Sequence, residues 1–203
     1  MNEATFDAIV ASDMPDAVDL DQRLRADLRS DHAGETGAVW IYRGILTFSM
    51  DPKVRQFARE HLQTEQRHLA FFNDWLPREL HSRILPLWRL AGWTLGAVAA
   101  LAGRRGVFLT IEAVETFVVE HYQEQIEYLT ERREHREIRA ALRSFQRDED
   151  HHREDARLRS ICPPGWMGKT WSRIVGEGSR LAVLAARRVQ PARRNSGACG
   201  GGR

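Results

Sequence analysis

Apolar residues recur at i, i+3, i+4 and i+7 through most of this chain, the period of a helix with one buried face. Alternating β-branched runs are few, and Asn-Gly and Asp-Gly turns are absent, so strands are not expected. The breaks fall at Asp51-Pro52, at Pro77, from Gly103 to Gly106, and from Pro163 to Gly165. They predict helices over about 22–48, 52–75, 80–102, 107–131 and 135–161, with a weaker one near 169–188. Asp51 reads as an N-cap and Pro52 as the first helical residue. The expected fold is all-α. A helical domain covers residues 22–161, preceded by an acidic, flexible segment over 1–21. An amphipathic segment over 162–189 and a flexible tail over 190–203 follow it.

The third helix differs in pattern. Residues 84–103 read ILPLWRLAGWTLGAVAALAG, with Arg89 as the only charge. The length approaches a membrane span, but the early Pro86, the arginine and the regularly spaced small residues argue for an apolar helix in the bilayer interface or lining an apolar pocket. Trp88 and Trp93 suit an interface.

Composition narrows the class. With 203 residues, 42% hydrophobic and 29% charged, the chain can bury one sizeable core and is not a disordered sequence. Two cysteines, Cys162 and Cys199, do not make a disulfide framework and point to a reducing compartment. The first residues lack a basic stretch followed by an apolar run, so no signal peptide is expected. The net charge of +2 hides an asymmetry: residues 1–21 carry six acids and no base, whereas residues 169–203 carry eight Lys or Arg against Glu177. Such a basic, apolar-spaced end attracts anionic surfaces, membrane or nucleic acid.

The acids inside the helical stripes carry the chemistry. With about 100° per residue, Leu24, Leu28, Val39, Tyr42 and Leu46 fall within about 40° of Glu35. Val54, Ala58, Leu69, Phe72 and Leu76 surround Glu65 likewise, with His68 about 60° away on the same face. On the fourth helix, Glu115 lies about 20° from the centre of the stripe through Ile111, Val114, Val118, Tyr122, Ile126 and Leu129, whereas Glu120 is nearly opposite and Glu112 about 80° off. On the fifth, Ile138, Leu142, Phe145 and Ala156 surround Glu149; His152 stays on that face and His151 points outward.

Burying a carboxylate alone costs several kcal/mol, and most Lys and Arg fall on outer faces. Four inward glutamates therefore call for cations, and two divalent ions match their charge. A lone Glu-x-x-His is usually a solvated pair. Here Glu35 precedes Glu65-x-x-His68 and Glu115 precedes Glu149-x-x-His152, the ligand set of ferritin-like di-metal carboxylate bundles. Mixed carboxylate and imidazole ligands suit iron or manganese, iron being usual for oxygen chemistry. His61 reads as a packed histidine or one supporting a ligand, as do His32 and His121 at the stripe edges. Asp148 is placed to accept a hydrogen bond from a ligand histidine across the bundle, or to be solvated. Trp40 and Trp75 read as packing.

The segment Asp31-His-Ala-Gly-Glu-Thr-Gly-Ala38 with Ile41-Tyr42, the Glu65-Gln-Arg-His68 and Ala113-Val-Glu115 segments, His121-Tyr122 and Asp148-Glu-Asp-His-His152 together resemble the demethoxyubiquinone hydroxylase family over roughly residues 22–188. Arg43-Gly44-Ile45 departs from the Gly-Gln often found after the family's first-helix tyrosine. The resemblance implies a ferritin-like four-helix bundle, with the extra apolar helix and the C-terminal amphipathic helix added. It implies two iron ions held by Glu35, Glu65, His68, Glu115, Glu149 and His152, with the bridging carboxylates left open. It also implies O₂-dependent hydroxylation of a polyprenylated methoxy-methyl-benzoquinol in ubiquinone biosynthesis. His121 and Tyr122 map to the family's His-Tyr pair, near the site, on an electron or proton route. The implied partners are quinol, O₂ and a membrane surface rather than nucleic acid, with room for a ubiquinone-biosynthesis complex and a homo-oligomer. The implied location is peripheral, at the cytoplasmic face of the inner membrane in a bacterium. Two rivals stand beside this reading. One is a ferritin- or rubrerythrin-like ferroxidase or peroxidase, weakened by the lack of a Cys-x-x-Cys pair and by the greasy third helix; the other is a non-catalytic, membrane-associated metal-binding bundle.

Overall fold

In the computed structural model, residues 14–160 and 164–188 are described. Cys162, Cys199, Pro163, most of the acidic N-terminal segment and the tail from residue 190 lie outside them. The described residues form six α-helices and no strand: α1 (Gln22–Phe48), α2 (Pro52–Trp75), α3 (Leu85–Leu101), α4 (Gly103–Arg132), α5 (Arg136–Arg159) and α6 (Trp166–Arg188), with a short 3₁₀ turn at Arg78–Leu80. The fold is an all-α, ferritin-like bundle.

Local chemistry sets the ends. The Asp21 carboxylate caps α1 by accepting from the Leu24 N–H at 2.9 Å. Asp51 caps α2 by accepting from Lys53 N–H at 2.8 Å, and Pro52 takes the first turn. Its other role is an ion pair with Arg104 at 3.1 Å, which ties α2 to the start of α4. The break expected over Gly103–Gly106 shrinks to one residue: Gly103 adopts φ +79°, and α4 starts there. A side chain there would be strained, so glycine makes the sharp α3–α4 corner. The third helix begins at Leu85 rather than near 80, because residues 78–80 close a separate turn.

The four long helices share one layout. Each carries a buried apolar segment, then the inward acid, then a second apolar segment. At one end Leu28, Phe72, Leu129 and Phe145 meet. At the other Ile45, Phe57, Phe108 and Ala156 meet. The acidic belt lies between these two dry cores.

α3 packs against α1 at backbone distance. A Cβ on Gly96 would come within 2.0 Å of the Ile41 carbonyl, and one on Gly44 within 2.2 Å of the Trp93 carbonyl. This close approach turns Trp88 over Gly37 and Trp93 against Phe48. The two tryptophans expected at an interface are therefore half-buried against α1. The outward apolar residues of α3 are Leu87, Leu90, Val98 and Leu101. No described helix is long and apolar enough to cross a membrane.

Candidate metal centre

The six side chains expected to converge do so. Glu35, Glu65, His68 and Glu149 form one group, and Glu65, Glu115, Glu149 and His152 a second. Within each group one donor atom per residue lies within 4.8 Å of the others. Glu65 and Glu149 belong to both. All six are buried, while Glu120 and His151 are exposed and Glu112 is half-buried.

Electrostatics tests whether this cluster fits metal ions. Three buried carboxylate oxygens, Glu35 Oε2, Glu65 Oε1 and Glu149 Oε1, lack a well-aligned hydrogen bond among the described residues. The imidazoles partly balance them. His68 Nδ1 lies 2.9 Å from Glu149 Oε1, and His152 Nδ1 lies 3.0 Å from Glu65 Oε1. Burial and the charge of Glu149 push the Glu65 carboxyl up to about 8. Burial, with Glu149 and Glu65, raises Glu115 well above the carboxylate range. Burial also opposes charge on Glu149, but His152 and His68 outweigh it and hold that carboxyl low. For His68 and His152 burial opposes the charged form, yet the carboxylates around them raise both imidazoles well above the usual value. Without a cation, then, the belt is tolerable only by holding protons. Unmet inward oxygens and an all-oxygen and imidazole donor set fit metal ions that displace those protons.

The surrounding groups orient these side chains. His68 Nε2 donates to Asp148 Oδ2 across the bundle at 3.1 Å, leaving Nδ1 to face the carboxylates. A ligand imidazole is normally fixed this way. The Tyr122 hydroxyl donates to Glu35 Oε1 at 2.5 Å, and the Tyr42 hydroxyl donates to Glu115 Oε1 at 3.3 Å. These are reciprocal: α1 holds the glutamate of α4, and α4 holds that of α1. The sequence carries the signal, a tyrosine seven residues after each lone glutamate, although the periodicity treats both tyrosines as apolar stripe. His61 packs edge-on to the His152 ring, with centroids 4.2 Å apart, and its Nε2 donates to Asp155 at 3.0 Å. His32 lies away from the cluster, paired with Asn73 at 3.0 Å. Trp75 donates from Nε1 to the Pro15 carbonyl.

His121 belongs to a network that periodicity does not reveal. Its Nε2 donates to Asp31 Oδ1 at 3.0 Å, and its Nδ1 accepts from Arg187 at 3.4 Å. Gln125 donates to the same Asp31 oxygen at 2.9 Å, and Arg187 pairs with buried Asp27 at 2.9 Å. Burial, against the pull of Arg187, raises the Asp27 carboxyl to about 6. Arg187 comes from α6, so only the tertiary fold could place it there.

A cavity of about 500 Å³ runs between α3 and α6 down to the cluster. Its walls are apolar, with Trp88, Leu95, Val114, Trp171 and Val183 among them, and Glu35, Glu115, His121 and Tyr122 lie on its floor. That size and lining suit a small organic ligand.

Fold and site together define a ferritin-like helical bundle whose centre could hold metal ions between paired Glu and Glu-x-x-His helices. Within that class the chain belongs to the family described as ubiquinone biosynthesis protein COQ7, whose pattern it matches over residues 22–186. It is 32% identical over 170 residues to the NADPH-dependent 3-demethoxyubiquinone 3-hydroxylase, mitochondrial, of Dictyostelium discoideum, covering 80% of this chain and 76% of that protein. The rat (Rattus norvegicus) protein of the same name is 34% identical over 165 residues, covering 79% and 76%. The 3-demethoxyubiquinol 3-hydroxylase of Rhodospirillum rubrum is 32% identical over 170 residues, covering 80% and 76%.

Proposed function

We propose that this protein is a di-iron monooxygenase that hydroxylates a polyprenylated demethoxyubiquinol with O₂. The observation that carries the reading is the position of the acidic belt, two overlapping Glu/His groups at the floor of an apolar cavity. The named activity of its relatives supports it. Glu35, Glu65, His68, Glu115, Glu149 and His152 would hold the ions, Glu65 and Glu149 belonging to both groups. Bound iron would supply the oxidising chemistry.

The chain supplies the rest. Tyr122 and Tyr42 hold the outer glutamates by their hydroxyls. The apolar cavity wall excludes water, which protects a reactive centre from stray protons. His121 links the cavity floor to Arg187 through Nδ1 and to Asp31 through Nε2, a path on which protons accompany electrons. Exposed Leu87 and Ile174 line the cavity, and beside them an isoprenoid tail can stay in lipid. Lys169, Arg173 and Arg180 on α6 add attraction to anionic headgroups, about 1 kcal/mol per charge near the surface. This gives peripheral attachment, in a bacterium to the cytoplasmic face of the inner membrane.

The test is metal analysis of freshly purified protein, followed by anaerobic loading with Fe(II), addition of demethoxyubiquinol and a reductant, and exposure to O₂. The expected product is one oxygen atom heavier. Iron oxidation with no ring product would overturn the reading in favour of a ferroxidase.

A further inference from the structure

Glycine inside a helix is less favourable than alanine, so each one needs a local reason. At Gly37, Gly44, Gly92 and Gly96 the reason is contact, since an added Cβ would come within 2.0–2.9 Å of a neighbouring atom. Gly34, Gly176 and Gly178 lack that reason, and of the three Gly34 and Gly178 line the cavity. Both lie inside helices, neither has positive φ, and a Cβ on either would meet nothing within 4 Å. Packing and backbone geometry would accept alanine at both. What they share is the cavity, since Gly34 lines it on α1 beside Glu35 and Gly178 lines it on α6.

The same wall indicates the polarity of the occupant. Asp31 lines the cavity and is 3% exposed. Its Oδ1 accepts from His121 and Gln125, while Oδ2 has no hydrogen-bond partner among the described residues. A buried acceptor left unmet is destabilising, and a hydroxyl on the occupant removes that cost.

We propose that Gly34 and Gly178 are specificity-determining positions, their missing side chains forming the slot through which a flat, hydroxyl-bearing ring reaches Glu35, with Asp31 Oδ2 accepting the ring hydroxyl. This rests on the quinol reading of the cavity. It adds a preference: the reduced ring donates to Asp31, whereas the oxidised ring carries only acceptors.

The experiment uses full-length, metal-free protein in detergent micelles and a short-tailed methoxy-methyl-benzoquinol, or its quinone, as probe. Binding is read from tryptophan quenching, since Trp88 and Trp171 line the cavity. The wild type is expected to bind quinol more tightly than quinone. Gly34→Leu and Gly178→Leu weaken quinol binding by at least about tenfold, with the thermal midpoint unchanged or higher. Gly34→Ala and Gly178→Ala raise the midpoint by a few degrees, roughly, whereas Gly37→Ala lowers it. Leucine variants that bind like wild type overturn the slot and leave the cavity reading standing. Alanine variants that melt earlier than wild type also overturn it, because the glycines would then serve packing. Equal affinity for quinol and quinone removes the Asp31 anchor. A wild type that binds neither probe overturns the cavity reading and the slot with it.

Discussion

The two halves of the bundle, α1–α2 and α4–α5, use one motif in two settings. Each has a lone glutamate, a tyrosine seven residues later and a Glu-x-x-His on the next helix. Around Tyr122 and Glu35 the structure is open: the cavity reaches both, and His121, Asp31 and Arg187 stand behind them. Around Tyr42 it is closed, with Phe57, His61 and His152 packed on its ring at centroid distances of 6.0–6.5 Å. The repeat therefore accounts for the charge of the centre, and the surroundings decide which side meets a ligand. A symmetric motif yields an asymmetric site because α3 and α6 cover one side and line the cavity there.

The largest effects should come from the residues the halves share. Glu65→Ala and Glu149→Ala each remove a side chain common to both groups, so metal per chain should fall close to zero. Glu115→Ala, which belongs to one group, should retain part of it, and exposed Glu120→Ala should keep all of it. Affinity losses of at least about a hundredfold are expected at the shared positions, beyond the 10–100-fold typical of supporting residues. Metal analysis by mass spectrometry checks this. Equal loss at Glu115 and Glu120 would break the assignment of inward faces.

That assignment was legible from sequence because a 3.6-residue period fixes which acids share a face with Leu28, Phe72, Ile111 or Phe145. The helix start at Asp51 was legible from local capping chemistry. What was not legible depends on distant segments. Periodicity could not say that α3 lies against α1 through Gly44 and Gly96, which is why Trp88 and Trp93 read as interfacial. Nor could it bring Arg187 from α6 to His121 and Asp27, since each of those positions alone reads as an ordinary charged or edge residue. The Tyr42 and Tyr122 hydroxyls were hidden in a different way, because a buried tyrosine fits an apolar stripe whether or not its hydroxyl has a role.

A second contrast lies in the histidines. In the first half, burial, with the nearby His81, pushes His32 down to about 4 from its ordinary 6.5. A depressed imidazole is neutral in the fold and charged in the unfolded chain, so its contribution is complete above pH 6.5 and is lost as pH falls toward 4. The full loss is about 3 kcal/mol. Metal-free protein should show a falling thermal midpoint over that interval, and His32→Gln should flatten the slope. An unchanged slope would mean that His32 is charged in the fold.

The tyrosines sharpen the comparison at a smaller scale. Tyr122→Phe removes the shorter hydrogen bond, on the side open to the cavity, and should lower turnover by about tenfold. Tyr42→Phe, on the sealed side, should cost about threefold or less. Steady-state kinetics with iron-loaded protein checks both. Equal losses would show that the two hydroxyls act only by holding their glutamates, with no contribution from the cavity side.

The smallest effect concerns the links inside each half. The α1–α2 link ends in Asp51 and Pro52, a capped start with no positive φ. The α4–α5 link instead has Arg133 at φ 57° and His135 at φ 47°, and His135 makes no side-chain cap. Residues with a Cβ are disfavoured in that left-handed region, whereas glycine occupies it freely. Arg133 sits at the C-cap of α4, where glycine is the usual residue. Arg133→Gly should therefore raise stability by about 0.5–1 kcal/mol, the relief at α4's end exceeding the added freedom of the unfolded chain. Glycine at Met50 in the other link relieves no such strain and should lower stability by a few tenths of a kcal/mol, roughly. Denaturant midpoints for the two variants, measured on metal-free protein, should move in opposite directions. Movement in the same direction would show that the second link is no more strained than the first.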